Sequence, residues 1–282
     1  MKRKVYEQLL EWKSQEHHKP LILNGVRQCG KTYVLKEFGR QEFDSLAYVS
    51  CDRNVNLQAI YSGDFDVARI IQGLSALTGV DIIPGKTLIF LDEVQAFPQA
   101  LEALKYFCED APEYHIVVAG SLLGVALHAG VSFPVGKVQT LRLFPMDFEE
   151  FLMAMGEEQL LKLMHSHDYE LMNAFHEKLK DLLRQYYYVG GMPEVVKAFA
   201  ENKLLNQVRS LQNEILSNYA SDFSKYAPSQ EVPRIDMVWQ SILGQLSKEN
   251  KKFVYGVLKK GGRAKEFELA IQWLVDAGLV YK

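Results

Sequence analysis

The stretch Gly25-Val-Arg-Gln-Cys-Gly-Lys-Thr32 satisfies the pattern G-x-x-x-x-G-K-[ST], in which a loop folds around phosphate groups. Its glycines let the backbone turn tightly, so that successive N–H groups face an anion. Lys31 is expected to reach the β- and γ-phosphates of a nucleotide, and the Thr32 hydroxyl to bind Mg²⁺. Contacts to the nucleotide are predicted for the loop and the residue after it: Gly25, Val26, Arg27, Gln28, Cys29, Gly30, Lys31, Thr32 and Tyr33.

The residues on either side of the loop support this interpretation. An apolar run at 21–24 predicts a buried strand, and residues 32–38 predict a helix whose partially positive N-terminus faces the anion. The alternative is a glycine-rich turn with an incidental lysine. Such a turn would require neither the preceding strand nor the following helix. Cys29 leaves two interpretations open: a small residue that fills space, or a thiol whose pKa is lowered by the helix N-terminus, giving a redox switch.

A second motif, Leu88-Ile-Phe-Leu-Asp-Glu93, ends a predicted strand with two acids. Open α/β sheets bind ligands at the carboxyl ends of their strands. Asp92 is therefore predicted to hold Mg²⁺, and Glu93 to orient and deprotonate the attacking water. Alone, such a run is more often a strand that enters a solvated loop; downstream of a phosphate loop it indicates hydrolysis. No N-K-x-D guanine motif occurs, so ATP is preferred to GTP.

Ser121 follows a third apolar run, which begins at His115. Its hydroxyl is a candidate for sensing the γ-phosphate or positioning the catalytic water. The alternative is that Ser121 caps the next helix. Both roles can hold together, and the sequence does not separate them.

The chain alternates short apolar runs with amphipathic segments up to residue 145, which predicts an α/β fold with a parallel sheet. Strands are predicted at 21–24, 47–50, 88–91, 116–119 and 138–143. Helices are predicted at 32–38, 65–77, 101–108, 148–155, 169–188, 194–200 and 204–223, and a linker at 225–233. These signals divide the chain into a core at 1–145, a helical lid at 146–228 and a small C-terminal module at 229–282.

The composition excludes several classes of protein. The net charge is −3, so the overall balance demands no nucleic acid or acidic membrane as partner. The three cysteines form no C-x-x-C pair, which favours a reducing cytoplasm over a disulfide framework or a zinc site. No apolar stretch approaches the roughly 18 residues of a membrane span, and the N-terminal segment carries acids where a signal peptide needs an apolar run. A cytoplasmic protein without membrane contact is expected.

Taken in order, the motifs resemble those of AAA-superfamily ATPases of the prokaryotic type. More narrowly, they are similar to ATP-binding proteins that join this core to a winged helix and a nuclease-like C-terminal domain. The matching motifs are G-x-R-Q-x-G-K-T at 25–32, L-D-E-V-Q at 91–95, A-G-S at 119–121, S-F-P-V-G-K at 132–137, F-P-M-D-F-E-E-F at 144–151, G-G-M-P-E at 190–194 and W-L-V-D-A-G-L-V at 273–280. Together these motifs are specific, whereas any one after the first is not.

The resemblance implies a P-loop NTPase sheet of five parallel strands in the order 5-1-4-3-2, with a helical lid and a winged-helix-like module. Within the lid it implies that Gly191 and Pro193 lie near the adenine. The residues alone indicate only a helix break at 190–193. The cofactors implied are ATP or ADP and Mg²⁺.

Two features depart from the family pattern. Many relatives have Gly-Arg where this chain has Gly136-Lys137, so the arginine that stabilises phosphoryl charge is not evident. Lys137 or Arg142 are candidates to replace it, although lysine lacks the guanidinium fork. Relatives also continue beyond the last motif, so the chain resembles a truncated form without the nuclease-like domain.

The C-terminal module carries many basic residues: Lys248, Lys251, Lys252, Lys259, Lys260, Arg263 and Lys265. They are either a solvated face or a surface for double-stranded DNA, with the solvated face favoured. The main functional hypothesis is an Mg²⁺-dependent ATPase switch with slow turnover that rises on self-assembly or partner binding. The alternatives are a nucleotide-gated binding module without significant turnover and a DNA-associated motor or loader.

Overall fold

The computed structural model describes residues 1–63, 65–121, 134–249 and 252–281. The chain divides into two compact units, Met1–Val208 and Arg209–Lys282. Of the helices in the described ranges, none is long and apolar enough to cross a membrane.

The first unit is built around a sheet of five parallel strands. The strands are β1 (Leu21–Asn24), β2 (Ser45–Ser50), β3 (Thr87–Asp92), β4 (His115–Gly120) and β5 (Gln139–Arg142). Their order is β2-β3-β4-β1-β5, so β4 lies between the strand that precedes the phosphate loop and the strand that ends in Asp92. The predicted α/β fold and the strand order 5-1-4-3-2 are confirmed.

Apolar side chains on both faces of the sheet explain why these segments form central strands. Every residue of β3 is buried, as expected for a parallel strand covered on both sides. On one face Ile89 packs in a cluster with Leu74 and Leu104, which come from two covering helices. This core fixes the carboxyl ends of the strands, where the predicted site residues lie.

Ten α-helices of the described part lie wholly within the first unit. They are α1 (Val5–Ser14), α2 (Lys31–Glu42), α3 (Leu57–Ile60), α4 (Val67–Thr78), α5 (Pro98–Asp110), α6 (Phe148–Ala154), α7 (Glu158–Ser166), α8 (Tyr169–Ala174), α9 (His176–Val189) and α10 (Pro193–Asn202). The prediction of a single helix at 169–188 is wrong, because Phe175 interrupts it and separates α8 from α9. There the Phe175 N–H donates to the Met172 carbonyl in a tighter turn, although the apolar pattern runs on through the break.

The second unit is helical over its described residues. It contains most of α11 (Leu205–Tyr226), then α12 (Val232–Leu246) and α13 (Ala264–Asp276). Its core is aromatic: the Phe223 ring meets the Trp239 and Trp273 rings edge-on at 5.5 Å. Residues 209–249 and 252–281 contain no strand, and the winged-helix assignment stays a prediction.

Candidate functional site

Close packing and unusual backbone angles shape the loop between β1 and α2. A Cβ atom at Gly25 would lie 2.3 Å from the Leu143 carbonyl oxygen, so only glycine fits there. Gly30, at the start of α2, has φ +95°, and Gln28 has φ +62°; both angles lie in the left-handed region. The loop therefore adopts a tight conformation that the glycine spacing predicts.

Lys31 lies inside this loop. Its Nζ donates hydrogen bonds to the carbonyl oxygens of Gly25 at 2.7 Å and Val26 at 2.8 Å. Burial lowers the pKa of Lys31, and the nearby Cys29, Glu93 and Asp92 oppose that shift. The ammonium group is thus held at the centre of the loop with little water around it.

The two predicted metal ligands are in direct contact. Thr32 Oγ1 donates to Asp92 Oδ2 at 2.7 Å, and the Glu93 N–H donates to Asp92 Oδ1 at 3.0 Å. Asp92 is only 4% exposed. A hydroxyl and a carboxylate are hard oxygen ligands, so this pair fits Mg²⁺. Among the described residues no cluster of three or more His, Cys, Asp or Glu offers another metal site.

Tyr48 of β2 is a site residue that the sequence analysis missed. Its hydroxyl donates to Asp92 Oδ2 at 3.3 Å, and its ring lies 3.5 Å from Lys36 Nζ. No motif covers β2. Only the register, which places Tyr48 beside Phe90 of β3, brings the hydroxyl to the acidic pair.

Glu93 has a left-handed backbone conformation with φ +52°. Non-glycine residues in this region are uncommon and are enriched at functional sites. Gln95 Nε2 donates to Glu93 Oε2, while Gln95 Oε1 is buried without a hydrogen-bond partner among the described residues. The sequence analysis quoted Gln95 in a motif but gave it no role. It is the residue that fixes the Glu93 carboxylate here.

Ser121 lies directly after β4, between the loop strand and the acidic strand. It is buried, and Arg27 Nε donates to its hydroxyl at 3.4 Å. The segment that Ser121 would cap, together with Ser132 and Phe133 of the S-F-P-V-G-K motif, lies in 122–133, outside the described residues. Its position at this edge is compatible with either predicted role.

The segment after α9 brings Pro193 to the loop. A Cβ atom at Gly191 would lie 2.2 Å from the Met146 carbonyl oxygen, and the Met146 N–H donates to the Gly191 carbonyl at 2.6 Å. Pro193 Cγ is 3.6 Å from where a Cβ of Gly30 would lie. Tyr33, at the start of α2, is 54% exposed and lines a cavity of about 540 Å³.

The structure also locates Cys29, Lys137 and Arg142, which the sequence analysis singled out. The Cys29 side chain is fully buried, and burial raises its thiol pKa, which favours the space-filling interpretation over the redox switch. Lys137 forms an ion pair with Glu109 at 2.9 Å. Arg142 is the exposed last residue of β5, opposite Asn24 in the register.

Arg3 is a second site residue for which the sequence analysis found no signal. Its side chain is buried, and Nη1 donates to the Cys29 carbonyl oxygen of the loop at 2.7 Å. A lone arginine near a chain end carries no motif. The only available signal was helical periodicity after it: Val5, Leu9 and Trp12 share one face of α1, a helix that was not predicted.

Comparisons with known proteins bear on the family and the fold. Residues 17–152 match the family model of an AAA domain, and residues 180–282 match a domain of unknown function, DUF8612. No curated protein matches the chain in a sequence search.

Among solved structures, the Walker-type ATPase PABY2304 of Pyrococcus abyssi aligns with a TM-score of 0.60 and 13% identity. The alignment covers 98% of this chain and 89% of that one. At this identity the likeness concerns the fold. A structure of Drosophila ORC bound to DNA aligns at a TM-score of 0.41 and 15% identity over 98% of this chain and 86% of that one. The AAA-domain match at 17–152 confirms the resemblance to AAA-superfamily P-loop ATPases and, with it, a nucleotide-binding ATPase in general terms.

Proposed function

Because this chain carries an AAA-superfamily P-loop domain, we propose that it binds ATP with Mg²⁺ and hydrolyses it with water activated by Glu93. The observation that carries this proposal is the 2.7 Å contact between Thr32 and Asp92, with Glu93 adjacent to it at the loop. The Thr32 hydroxyl comes from the first turn of α2, and the carboxylates of Asp92 and Glu93 come from the end of β3. A purely structural polar contact would not require all three.

The chemistry follows from the side chains. Lys31 would exchange its bonds to loop carbonyls for bonds to the β- and γ-phosphates, and Thr32 and Asp92 would hold Mg²⁺, whose chemistry is the neutralisation of phosphate charge. Glu93 accepts a proton from water. The water oxygen then bonds to the γ-phosphorus as the bond to the β–γ bridging oxygen breaks, which yields ADP and phosphate.

Slow turnover is part of this proposal. An arginine that stabilises the transferred phosphoryl group is worth about 10³ to 10⁵ in rate. Lys137, which stands where relatives have this arginine, is paired with Glu109 and lacks the fork. Self-assembly or a partner is expected to supply the missing charge. The lid role of residues 146–228 and the reporting role of 229–282 belong to the same proposal, and the approach of Pro193 to Gly30 supports the first.

Phosphate release from ATP by the purified chain tests the proposal. We expect a basal rate well below tens per second, and Glu93→Gln is expected to abolish release while it preserves ATP binding. Glu113→Gln, an exposed carboxylate away from the loop, is the matched control and should leave the rate unchanged. A parent rate of tens per second would contradict the slow-switch proposal.

The hydrogen bond from Gln95 to Glu93 favours one alternative, a nucleotide-gated binding module. A carboxylate engaged by a neighbour is less free to accept a proton from water. If function in the cell survives Glu93→Gln but not Lys31→Ala, then function requires bound nucleotide and does not require ATP hydrolysis.

Exposed basic residues around the start of α13 favour a second alternative, a DNA-associated ATPase. Lys260, Arg263 and Lys265 are exposed there, whereas Lys251 lies outside the described residues. A turnover rate that rises with duplex DNA and falls steeply with salt would support it. Lack of stimulation would leave these residues as a solvated face.

A further inference from the structure

Arg3 connects three separate segments of the first unit. Its side chain is only 4% exposed. Nη1 donates to the Cys29 carbonyl at 2.7 Å, and Nη2 donates to the Phe144 carbonyl at 2.6 Å. Nε donates to Glu150 Oε1 at 3.0 Å. One guanidinium thus joins the phosphate loop, the chain just after β5 and helix α6.

The acceptor on α6 is itself fixed. Glu150 is 5% exposed, and its Oε1 also accepts the Lys4 N–H at 2.7 Å. Its Oε2 accepts the Asp147 N–H at 3.2 Å, which completes a capping box at the start of α6. A buried ion pair with these additional hydrogen bonds has one defined geometry, unlike an exposed pair.

The contact with Cys29 has a consequence for the loop. In a trans peptide the C=O of one residue and the N–H of the next point in opposite directions. Because the Cys29 carbonyl points toward Arg3, the N–H of Gly30 points away from Arg3. Arg3 also lies directly behind Gly30: Nη1 is 3.5 Å from where a Cβ of Gly30 would be.

We propose that Arg3 is a positioning residue for phosphate binding, which holds the peptide between Cys29 and Gly30 in its binding orientation and ties that orientation to α6. The proposal rests on the proposed function, because it concerns the same loop. It goes beyond that function in assigning the loop's conformation to a residue outside every motif. It also gives α6 a direct connection to the loop through Glu150.

The variant Arg3→Lys distinguishes the effect of the positive charge from the effect of the directed hydrogen bonds. Arg3→Lys keeps the positive charge but has one nitrogen, which cannot replace three directed donors. Glu150→Gln keeps one oxygen for Arg3 but removes the charge that fixes the guanidinium. Lys4→Gln is the matched control: its side chain pairs with Asp147 and Glu149 at the same helix, is 45% exposed, and makes no hydrogen bond to the loop.

Titration calorimetry with ATP and with ADP, together with turnover at varied ATP, tests the proposal. Because hydrogen bonds to charged groups are lost, we expect the Kd of Arg3→Lys for both nucleotides to rise roughly tenfold. KM should rise with it while kcat at saturating ATP stays within about twofold, since the loop binds ground state and transition state alike. Glu150→Gln should change Kd in the same direction, and Lys4→Gln should match the parent.

A merely structural role would move different quantities. It would lower the fraction of active protein, so kcat would fall while Kd and KM stayed at parent values, and that result would overturn the proposal. Parent-like affinity in a folded Arg3→Lys would overturn it too. If Arg3→Lys does not fold, Glu150→Gln decides by the same criteria. A parent that binds no nucleotide would instead refute the proposed function, which separates the two failures.

Discussion

The polar side chains at the two ends of strand β4 have different surroundings. At its amino end, the His115 ring lies 3.7 Å from the His18 ring and 5.4 Å from the Trp12 ring, centroid to centroid. Burial, together with the neighbouring His18, lowers the pKa of His115 to about 4. At its carboxyl end, Ser121 accepts a hydrogen bond from Arg27 beside the phosphate loop.

Buried polar side chains occur at both edges of the sheet, and the contacts of Asp92 and His18 differ. Asp92, 4% exposed at the carboxyl edge, accepts bonds from Thr32, Tyr48 and its own neighbour Glu93. His18, 7% exposed at the amino edge, stacks on Trp12 instead. A buried polar side chain alone therefore does not identify a site. A convergence of charge and hydrogen-bond donors does.

The largest expected effect is at the carboxyl edge. Asp92→Asn removes the charge that we assign to Mg²⁺, so ATP turnover should fall by about 10² or more, roughly 3 kcal/mol. Phosphate release at saturating Mg²⁺ measures it. Asp52→Asn, an exposed acid near the end of β2, is the control. Equal losses in both variants would mean that general charge, not the site, matters.

Gly25→Ala tests the close approach at the same edge. Its Cβ would lie 2.3 Å from the Leu143 carbonyl oxygen, so the backbone must shift, and we expect the free energy of unfolding to fall by about 1 to 3 kcal/mol. Urea denaturation measures this loss. Gly244→Ala, inside α12 with open space around the new methyl group, should be neutral or stabilising. A harmless Gly25→Ala would contradict the loop geometry.

The environment of His115 at the amino edge should make the free energy of unfolding depend on pH. Because folding lowers the pKa of His115 from 6.5 to about 4, the folded state disfavours the charged imidazole. Its stabilising contribution is complete above pH 6.5 and is lost as pH falls toward 4. We expect a loss of about 1 to 2 kcal/mol, reduced by solvent screening of this partly exposed group. Urea midpoints across this range should lose that pH dependence in His115→Phe.

The smallest expected effect concerns Tyr48. Tyr48→Phe removes one hydrogen bond to Asp92 but leaves the ring in place, so turnover should fall by about two- to fivefold, less than 1 kcal/mol. A titration of turnover with Mg²⁺ should show a raised half-saturation concentration. Tyr6→Phe is the control. The Tyr6 hydroxyl donates to Gln41 and Glu42, away from the acidic pair.

The sequence predicted the strands and the phosphate loop because both depend on local patterns. The 88–93 run and the 25–32 loop carry their own spacing, whereas the strand order came from family resemblance. Tyr48, Gln95 and Arg3 escaped prediction for a physical reason. Tyr48 and Arg3 act through contacts across 44 and 26 residues, and the Gln95 contact depends on the unusual backbone angle of Glu93.

Whether the 25–32 loop binds nucleotide is decided by titration calorimetry with ATP and Mg²⁺ on the parent chain and on Lys31→Ala. If the loop amides and the Lys31 ammonium bind the triphosphate, the parent should release heat at one site per chain, and the variant should bind at least about tenfold more weakly. Equal affinity of the two proteins, or no binding by folded parent, would contradict the assignment of this loop.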